Sequence, residues 1–149
     1  LSLHDALPIY TRTFTHLLHL TAHAWRLAVD RHLRDSGLSM SSWMAIGLIA
    51  SEPERMTQTE LAQLLGLEDA SMVPLVDRLV KQSLLTRVQP PEDRRKRHLV
   101  LTEKGNEAFA RVKTEADALR TEMLADIDPQ DLAVTERVLQ QLLSRMGSM

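Results

Sequence analysis

The chain contains no cysteine, so it forms neither a disulfide framework nor a thiolate zinc site, which fits a cytoplasmic location. Aromatic residues make up only 3% of its 149 residues, and this scarcity favours helices over a β-sandwich or barrel. No window holds about 18 consecutive apolar residues, so no membrane span is expected. The chain also lacks an initiator methionine, and its first nine residues, LSLHDALPI, resemble a translated sequencing adapter. Residues 1–10 are therefore set aside as a doubtful, possibly artefactual N-terminal segment.

Charge is distributed unevenly, although the formal net charge is only −2. Residues 69–97 carry seven lysines and arginines against four acidic residues, whereas residues 103–149 carry six against nine. Four consecutive cations, Arg94 to Arg97, follow Asp93. Because burying unpaired charges costs several kcal/mol each, this run is expected to face solvent or a polyanion. A slightly acidic total does not exclude DNA binding, since affinity for phosphates depends on the local patch.

The central part of the sequence is typical of a helix-turn-helix. Apolar spacing predicts a first helix from about Thr11 to Arg34 and a second from Ser39 or Ser41 to about Ala50. The capping box TQTE at residues 57–60 begins a third helix, which Gly66 ends. A fourth helix is predicted from Asp69 to Gln82. Its predicted buried stripe is Met72, Val76, Leu79 and Val80, and its predicted exposed residues are Ala70, Ser71, Pro74, Arg78 and Lys81.

A β-hairpin is predicted directly after the fourth helix. Residues alternate in the manner of strands from Leu85 to Gln89 and from Arg97 to Leu101, and the PPED sequence between them suits a turn. A cationic hairpin beside a helix-turn-helix is typical of a winged helix that binds DNA. The predicted fold class is therefore mostly α with a small β-wing.

Two long helices are predicted in the last third, from about Thr102 to Asp126 and from about Pro129 to Met146. Their apolar residues repeat at alternating steps of three and four, a seam that needs a partner. We therefore expect residues 11–38 and 103–149 to form a helical dimerisation bundle from the two ends of the chain. Residues 39–102 would form the winged helix-turn-helix DNA-binding domain.

Several motifs together resemble the MarR family of bacterial transcription regulators, and within it the SlyA-like branch. They are LSMSSW at residues 38–43, the segment 56–67, LVDRL at residues 75–79, and DRR…LT at residues 93–102 with its following LTxxG. The resemblance implies an obligate homodimer with a winged helix on each protomer. It also implies a small aromatic or phenolic effector, often bound between the DNA-binding and dimerisation parts.

The resemblance places the fourth helix in the major groove, with Ala70, Ser71 and Pro74 near bases and Arg78 near the backbone. An ion pair of Arg78 with Asp77 or Glu60 is the alternative. Asp93 and Arg95 match the family's wing tip, where the arginine enters the minor groove and the acid braces it. A merely solvated loop is the alternative there. The full predicted DNA-binding set is Thr57, Gln58, Ala70, Ser71, Pro74, Arg78, Lys81, Asp93, Arg94, Arg95, Lys96 and Arg97.

Pro74 departs from the SlyA-like pattern, in which this position commonly bears arginine or another polar residue. Proline removes the amide bond to the carbonyl of Ala70, at a reduced energetic cost if the site lies near the first turn. The family's base preference is therefore not carried over at this position. A cation that would neutralise a carboxylate effector is also absent there.

A small-ligand pocket is predicted from four residues: His19, His23, Trp25 and Trp43. Plain core packing is the alternative for both tryptophans. His16, His19 and His23 have a spacing compatible with a metal, but a solvated or interfacial histidine stripe is favoured, so no metal and no cofactor are expected.

Two functions are weighed. The first is a homodimeric repressor or activator that binds pseudo-palindromic double-stranded DNA, and whose regulation is relieved by a small aromatic effector. The alternative is a winged-helix protein-interaction module without specific DNA binding, for which Pro74 is the suggestive feature. An enzyme is not expected, because there is no cysteine nucleophile, no glycine-rich phosphate loop and no paired catalytic carboxylates beside a base.

Overall fold

The computed structural model describes residues 13–147, which fold mostly into helices with one small antiparallel sheet. This confirms the predicted fold class of a mostly α protein with a small β-wing. The doubtful segment 1–10 lies outside the described residues. In chain order the elements are α1 (Phe14–His32), a 3-10 turn (Arg34–Ser36), α2 (Met40–Ser51), β1 (Met56–Thr57), α3 (Gln58–Leu65), α4 (Asp69–Lys81), β2 (Leu85–Val88), β3 (His98–Leu101), α5 (Glu103–Met123) and α6 (Pro129–Gly147).

The chain divides into two compact units, one within residues 1–116 and the other within residues 117–149. The first contains the winged helix and every side chain that is almost completely buried, from Leu33 to Leu99. The second contains the end of α5 and all of α6, a helix in which no described residue is buried. The predicted division into DNA-binding and dimerisation parts stays a prediction. No described helix combines the length and apolar character that a membrane crossing requires.

Local signals in the sequence set most helix ends. Ser39 caps α2, where its hydroxyl accepts a hydrogen bond from the amide of Ser42 at 3.1 Å. The amide of Met40 donates a hydrogen bond to the Asp30 carboxylate of α1 at 2.6 Å, which links α1 to the start of α2. The first helix was predicted to reach Arg34, but it ends at His32 and a 3-10 turn follows, closed by Gly37 at φ 76°.

Helices α3 and α4 form the predicted helix-turn-helix. The capping box begins α3, and Gly66 ends it with a φ of 68°. On α4 the predicted residues Met72, Val76 and Leu79 are buried. The fourth member was wrong, because Leu75 is 3% exposed whereas Val80 is only half-buried. The buried face of α4 is therefore centred closer to Leu75 and further from Val80 than the spacing of apolar residues predicted.

The sheet has three strands in the order β1-β3-β2, not two. The hairpin pairs Leu85 with Leu101 and Val88 with His98, each strand being one residue shorter at its tip than predicted. The additional strand β1 pairs Met56 with Leu99. Strand β3 is therefore held from both sides, and the wing is attached directly to the start of the helix-turn-helix.

The LTxxG motif forms the junction between the wing and α5. The Thr102 hydroxyl donates to the carbonyl of Ser83 at 2.6 Å and accepts from the amide of Gly105 at 2.9 Å. The amide of Thr102 donates to the carbonyl of Leu84 at 3.1 Å. A Cβ at Gly105 would lie 2.2 Å from that same carbonyl oxygen. The glycine is therefore required because the backbones approach too closely for any side chain.

We expect Gly105→Ala to lower the free energy of unfolding by about 3 kcal/mol, because backbone must move to admit the new methyl group. Urea denaturation followed by far-UV circular dichroism measures the change. Gly47→Ala is the matched control, since its Cβ would meet the ring of Phe109 at an ordinary 3.6 Å. The control should stay within about 1 kcal/mol of the wild type. Equal stabilities for the two variants would contradict the proposed role of this contact.

Candidate nucleic-acid interface

The start of α3 uses the predicted residue Thr57 for capping. Its hydroxyl accepts from the amide of Glu60 at 3.2 Å, and a Glu60 carboxylate oxygen accepts from the amide of Thr57 at 3.4 Å. Thr57 and Gln58 are both half-buried. Because the Thr57 hydroxyl already makes a structural hydrogen bond, any contribution of Thr57 to binding comes mainly through the position of α3.

Helix α4 presents its predicted contact residues to solvent. The side opposite its buried stripe is exposed, and it carries Ala70, Ser71, Pro74, Arg78 and Lys81. Arg78 makes no ion pair with any described residue. The alternative pairing of Arg78 with Asp77 or Glu60 is therefore not found. Asp77 instead forms an ion pair with Arg87, and Glu60 belongs to the capping box.

Pro74 lies deeper in α4 than expected. It is the sixth residue of the helix, beyond the first turn, and α4 nevertheless continues to Lys81. The carbonyl of Ala70 therefore has no amide four residues later to bind. Because Pro74 is on the exposed side, water can reach this region, which reduces the cost of the missing hydrogen bond.

The wing tip brings Asp93 and Arg95 together. A carboxylate oxygen of Asp93 accepts from the Arg95 amide at 3.0 Å and from its Nε at 3.3 Å. The Arg95 side chain is 92% exposed, whereas that of Asp93 is 25% exposed. The acid therefore lies inside the loop and orients a guanidinium group that extends into solvent.

The other wing cations differ from one another. Arg97 Nη1 donates to the carbonyls of Arg94 and Lys96, each at 3.1 Å, so this guanidinium organises the loop itself. The side chains of Arg94 and Lys96 make no hydrogen bond or ion pair with a described residue. All three residues are exposed. Arg94 and Lys96 are therefore available to an anion, whereas Arg97 is partly occupied.

One ion pair at this surface was missed from the sequence. Arg87 of β2 contacts Asp77 of α4, with 2.5 Å between Nη2 and Oδ1. The pair joins the wing to the fourth helix. Because Asp77 lies four residues before Lys81, which was predicted to be exposed, the spacing places Asp77 on the same helix face. No short-range pattern in the sequence indicates that Arg87 is its partner.

The four predicted effector residues differ in their exposure to solvent. His19 and His23 are exposed, and Trp25 and Trp43 are half-buried. The indole Nε1 of Trp43 is buried and makes no hydrogen bond within the described chain. Their role in ligand binding stays a prediction.

A cleft of about 770 Å³ lies between the end of α1, the end of α4 and the first half of α5. Its buried apolar lining is Leu38, Leu84, Ala108 and Val112. Its polar lining includes His32, the cations Lys104 and Arg111, and the acids Asp35 and Glu115. Gln82, the residue directly after α4, also lines the cleft. An apolar floor with polar groups at the rim suits a small organic ligand.

These features define a winged helix-turn-helix with a cationic wing, the architecture of a DNA-binding regulator. A family model described as the MarR family matches residues 36–96. The transcriptional regulator PA3341 is similar at 35% identity over 92% of this chain and 100% of that chain, with a TM-score of 0.83. The chain belongs to the MarR family of transcription regulators.

Two further solved structures are similar. CouR from Rhodococcus jostii RHA1, bound to p-coumaroyl-CoA, has 26% identity and a TM-score of 0.80, covering 89% of this chain and 92% of that chain. MepR from S. aureus, solved as a DNA complex, has a TM-score of 0.81 and covers 93% of this chain and 99% of that chain. At 16% identity, MepR shows only that the fold is shared.

Proposed function

We propose that this chain is a homodimeric, SlyA-like transcription regulator of the cytoplasm that binds pseudo-palindromic double-stranded DNA. Helix α4 would enter the major groove and the wing the adjacent minor groove. The observation that carries the proposal is the wing tip, where Asp93 orients an Arg95 side chain that is 92% exposed. The match to a MarR-family model over residues 36–96 and the 35% identity to the transcriptional regulator PA3341 support the same assignment.

The geometry of Arg95 suits a narrow minor groove. An A·T-rich groove concentrates negative potential, which attracts an inserted guanidinium group. Because a carboxylate already restricts the planar Arg95 side chain, less conformational entropy is lost on insertion. The wing would therefore read groove width more than base identity.

The exposed face of α4 offers few groups for base readout. Ala70 and Pro74 have no polar side-chain atom, and a serine hydroxyl such as that of Ser71 is compatible with several bases. The neighbouring cations Arg78 and Lys81 suit phosphates, which every sequence carries. We therefore propose that phosphate contacts supply most of the affinity, with a correspondingly steep dependence on salt.

Dimerisation is supported by apolar side chains that a single chain leaves in water. On α1 the exposed group includes Phe14, Leu17, Leu18, Leu20 and Leu27, and on α6 it includes Val134, Val138, Leu143 and Met146. Apolar patches of this kind mark protein–protein contacts. A two-fold dimer would present recognition helices about 34 Å apart, one turn of DNA.

We propose that an aromatic carboxylate relieves DNA binding from the cleft beside α4. Gln82 joins the cleft to the recognition helix, since its side chain donates to the carbonyl of Gly37 at 3.4 Å and its own carbonyl accepts from Lys104 Nζ at 3.1 Å. Arg111 lines the cleft without an ion pair to a described residue, so it can receive a carboxylate. CouR, solved with p-coumaroyl-CoA, supports the aromatic part of this ligand, whereas the carboxylate is proposed from Arg111 alone.

Arg95→Ala should weaken binding to a duplex selected from random DNA by about 2 kcal/mol, roughly 30-fold, and reduce the salt slope by about one. Asp93→Ala should produce a smaller loss, because the cation remains but is no longer oriented. Fluorescence anisotropy at several salt concentrations measures both effects. Arg31→Ala is the control, since it removes an exposed arginine from α1, outside the proposed interface. Wild-type affinity in Arg95→Ala would favour the protein-interaction module.

Sedimentation velocity should give twice the 16.9 kDa chain mass for the wild type. Leu143→Glu should produce monomers at micromolar concentration, because Leu143 is a 67% exposed apolar residue on α6 and a charge would have to be buried in the dimer. Gln140→Glu adds the same charge at an exposed polar site on the same helix and should leave the dimer intact. A monomeric wild type would contradict the proposed assembly.

Titration with p-coumarate should raise the melting temperature and release bound duplex, and Arg111→Ala should abolish both effects. Trp43→Phe removes the unpaired indole N–H and tests the pocket predicted from the sequence. We expect Trp43→Phe to keep the response. Loss of the response in Trp43→Phe but not in Arg111→Ala would indicate that the ligand binds at the tryptophan site and not in the cleft. Calorimetry provides the corresponding dissociation constants.

A further inference from the structure

An acidic residue lies in the middle of the proposed DNA-reading face. Ala70, Pro74, Asp77 and Lys81 follow one another at steps of four, three and four residues, so they form one stripe along α4. All four are exposed, and the opposite stripe is buried. A carboxylate at this position would repel DNA phosphates unless its charge were neutralised.

Arg87 supplies the neutralising charge from outside the helix. Its Nη2 lies 2.5 Å from Asp77 Oδ1, and its backbone is held in β2 opposite Leu99 of β3. Exposed ion pairs contribute little to folding stability, so stability alone gives no reason for this arrangement. The location of the pair on the proposed interface gives a reason, because an unneutralised Asp77 would repel DNA phosphates.

The exposures of the two acid–arginine pairs show which partner faces outward. At the wing tip the arginine side chain is 92% exposed and its acid 25%. In the Asp77–Arg87 pair the order is reversed, because the arginine is 34% exposed and the acid 57%. Asp93 therefore orients a cation toward solvent, whereas Arg87 lies behind Asp77 and covers its charge from the protein side.

Without Arg87, Asp77 has a close alternative partner in Lys81. An acid four residues before a lysine is the favourable helical pairing. In the structure Lys81 makes no ion pair with a described residue. The Asp77–Arg87 contact therefore leaves the Lys81 ammonium group available to a phosphate.

We propose that Arg87 is a positioning residue for DNA binding: it neutralises Asp77 on the recognition face and keeps Lys81 available for the phosphate backbone. Arg87 itself does not contact DNA in this arrangement. This inference rests on the proposed DNA-binding function. It adds a residue on β2, outside both the recognition helix and the wing tip, to the determinants of affinity.

The test uses the full-length wild type and the variants Arg87→Ala, Asp77→Asn, Lys81→Ala and the double variant Asp77→Asn/Arg87→Ala, each with the wild-type-selected duplex. Arg87→Ala should weaken binding about tenfold and reduce the salt slope by about one, and Lys81→Ala should have the same effect. Asp77→Asn should bind as tightly as the wild type or more tightly. The double variant should return to within about threefold of Asp77→Asn. Melting temperatures, measured without DNA, identify any variant whose affinity falls through unfolding.

Three results would overturn the inference. Equal losses from Arg87→Ala in the wild-type and Asp77→Asn backgrounds would mean that Arg87 contacts phosphate directly. A loss in Asp77→Asn with altered base preference would mean that Asp77 reads a base. Wild-type affinity in Arg87→Ala would mean that the pair has no role in binding. In all three cases the wild type still binds DNA, whereas failure of the wild type to bind any duplex would defeat the proposed function as well.

Discussion

The contact between the first turn of α5 and the carbonyl of Leu84 fixes the direction in which the hairpin leaves the helix-turn-helix. Thr102 closes this junction with hydrogen bonds to Ser83 and Gly105. Strand β1 holds the other side of β3, so the wing is attached at both edges of its inner strand. The proposed interface depends on this attachment. If the hairpin were loosely held, ordering its tip on binding would cost conformational entropy and weaken the affinity.

Given a fixed hairpin, contacts with acids and with backbone carbonyls decide which cations are available to an anion. Asp93 orients Arg95, the carbonyls of Arg94 and Lys96 hold Arg97, and Arg87 pairs with Asp77. Counting basic residues along the sequence therefore overestimates the number that can meet phosphates. The count matters because each phosphate neutralised adds about one unit to the salt dependence of binding.

The parts of the fold that were predictable from the sequence depend on neighbours within four residues. The Thr57 capping box, the glycine cap at Gly66 and the buried positions of α4 other than Leu75 follow from such short-range rules. Strand β1 and the Asp77–Arg87 pair were missed because their partners are 10 to 43 residues away. A two-residue strand has too short a pattern to detect, and an exposed arginine on a strand has many possible partners. The required glycine at residue 105 was visible only as part of a family motif, and the structure supplies its physical reason.

In the proposed dimer, the exposed apolar seam of α6 would connect assembly to the strength of DNA binding. This 19-residue helix has no buried residue within the described chain, and helices in proteins gain most of their stability from the packing of an apolar face. A partner that covers the seam would stabilise α6 and also link two winged helices. Because the second half-site then binds intramolecularly, two weak interactions combine into a strong one without new contacts. If α4 is the recognition helix, as proposed, Ala70, Ser71 and Pro74 offer few groups for base reading, so DNA binding would depend on this gain more than in a helix rich in hydrogen-bonding side chains. The few base-reading groups on α4 and the exposed apolar residues of α6 are therefore both explained by the proposed dimer, in which the spacing between half-sites would contribute to specificity.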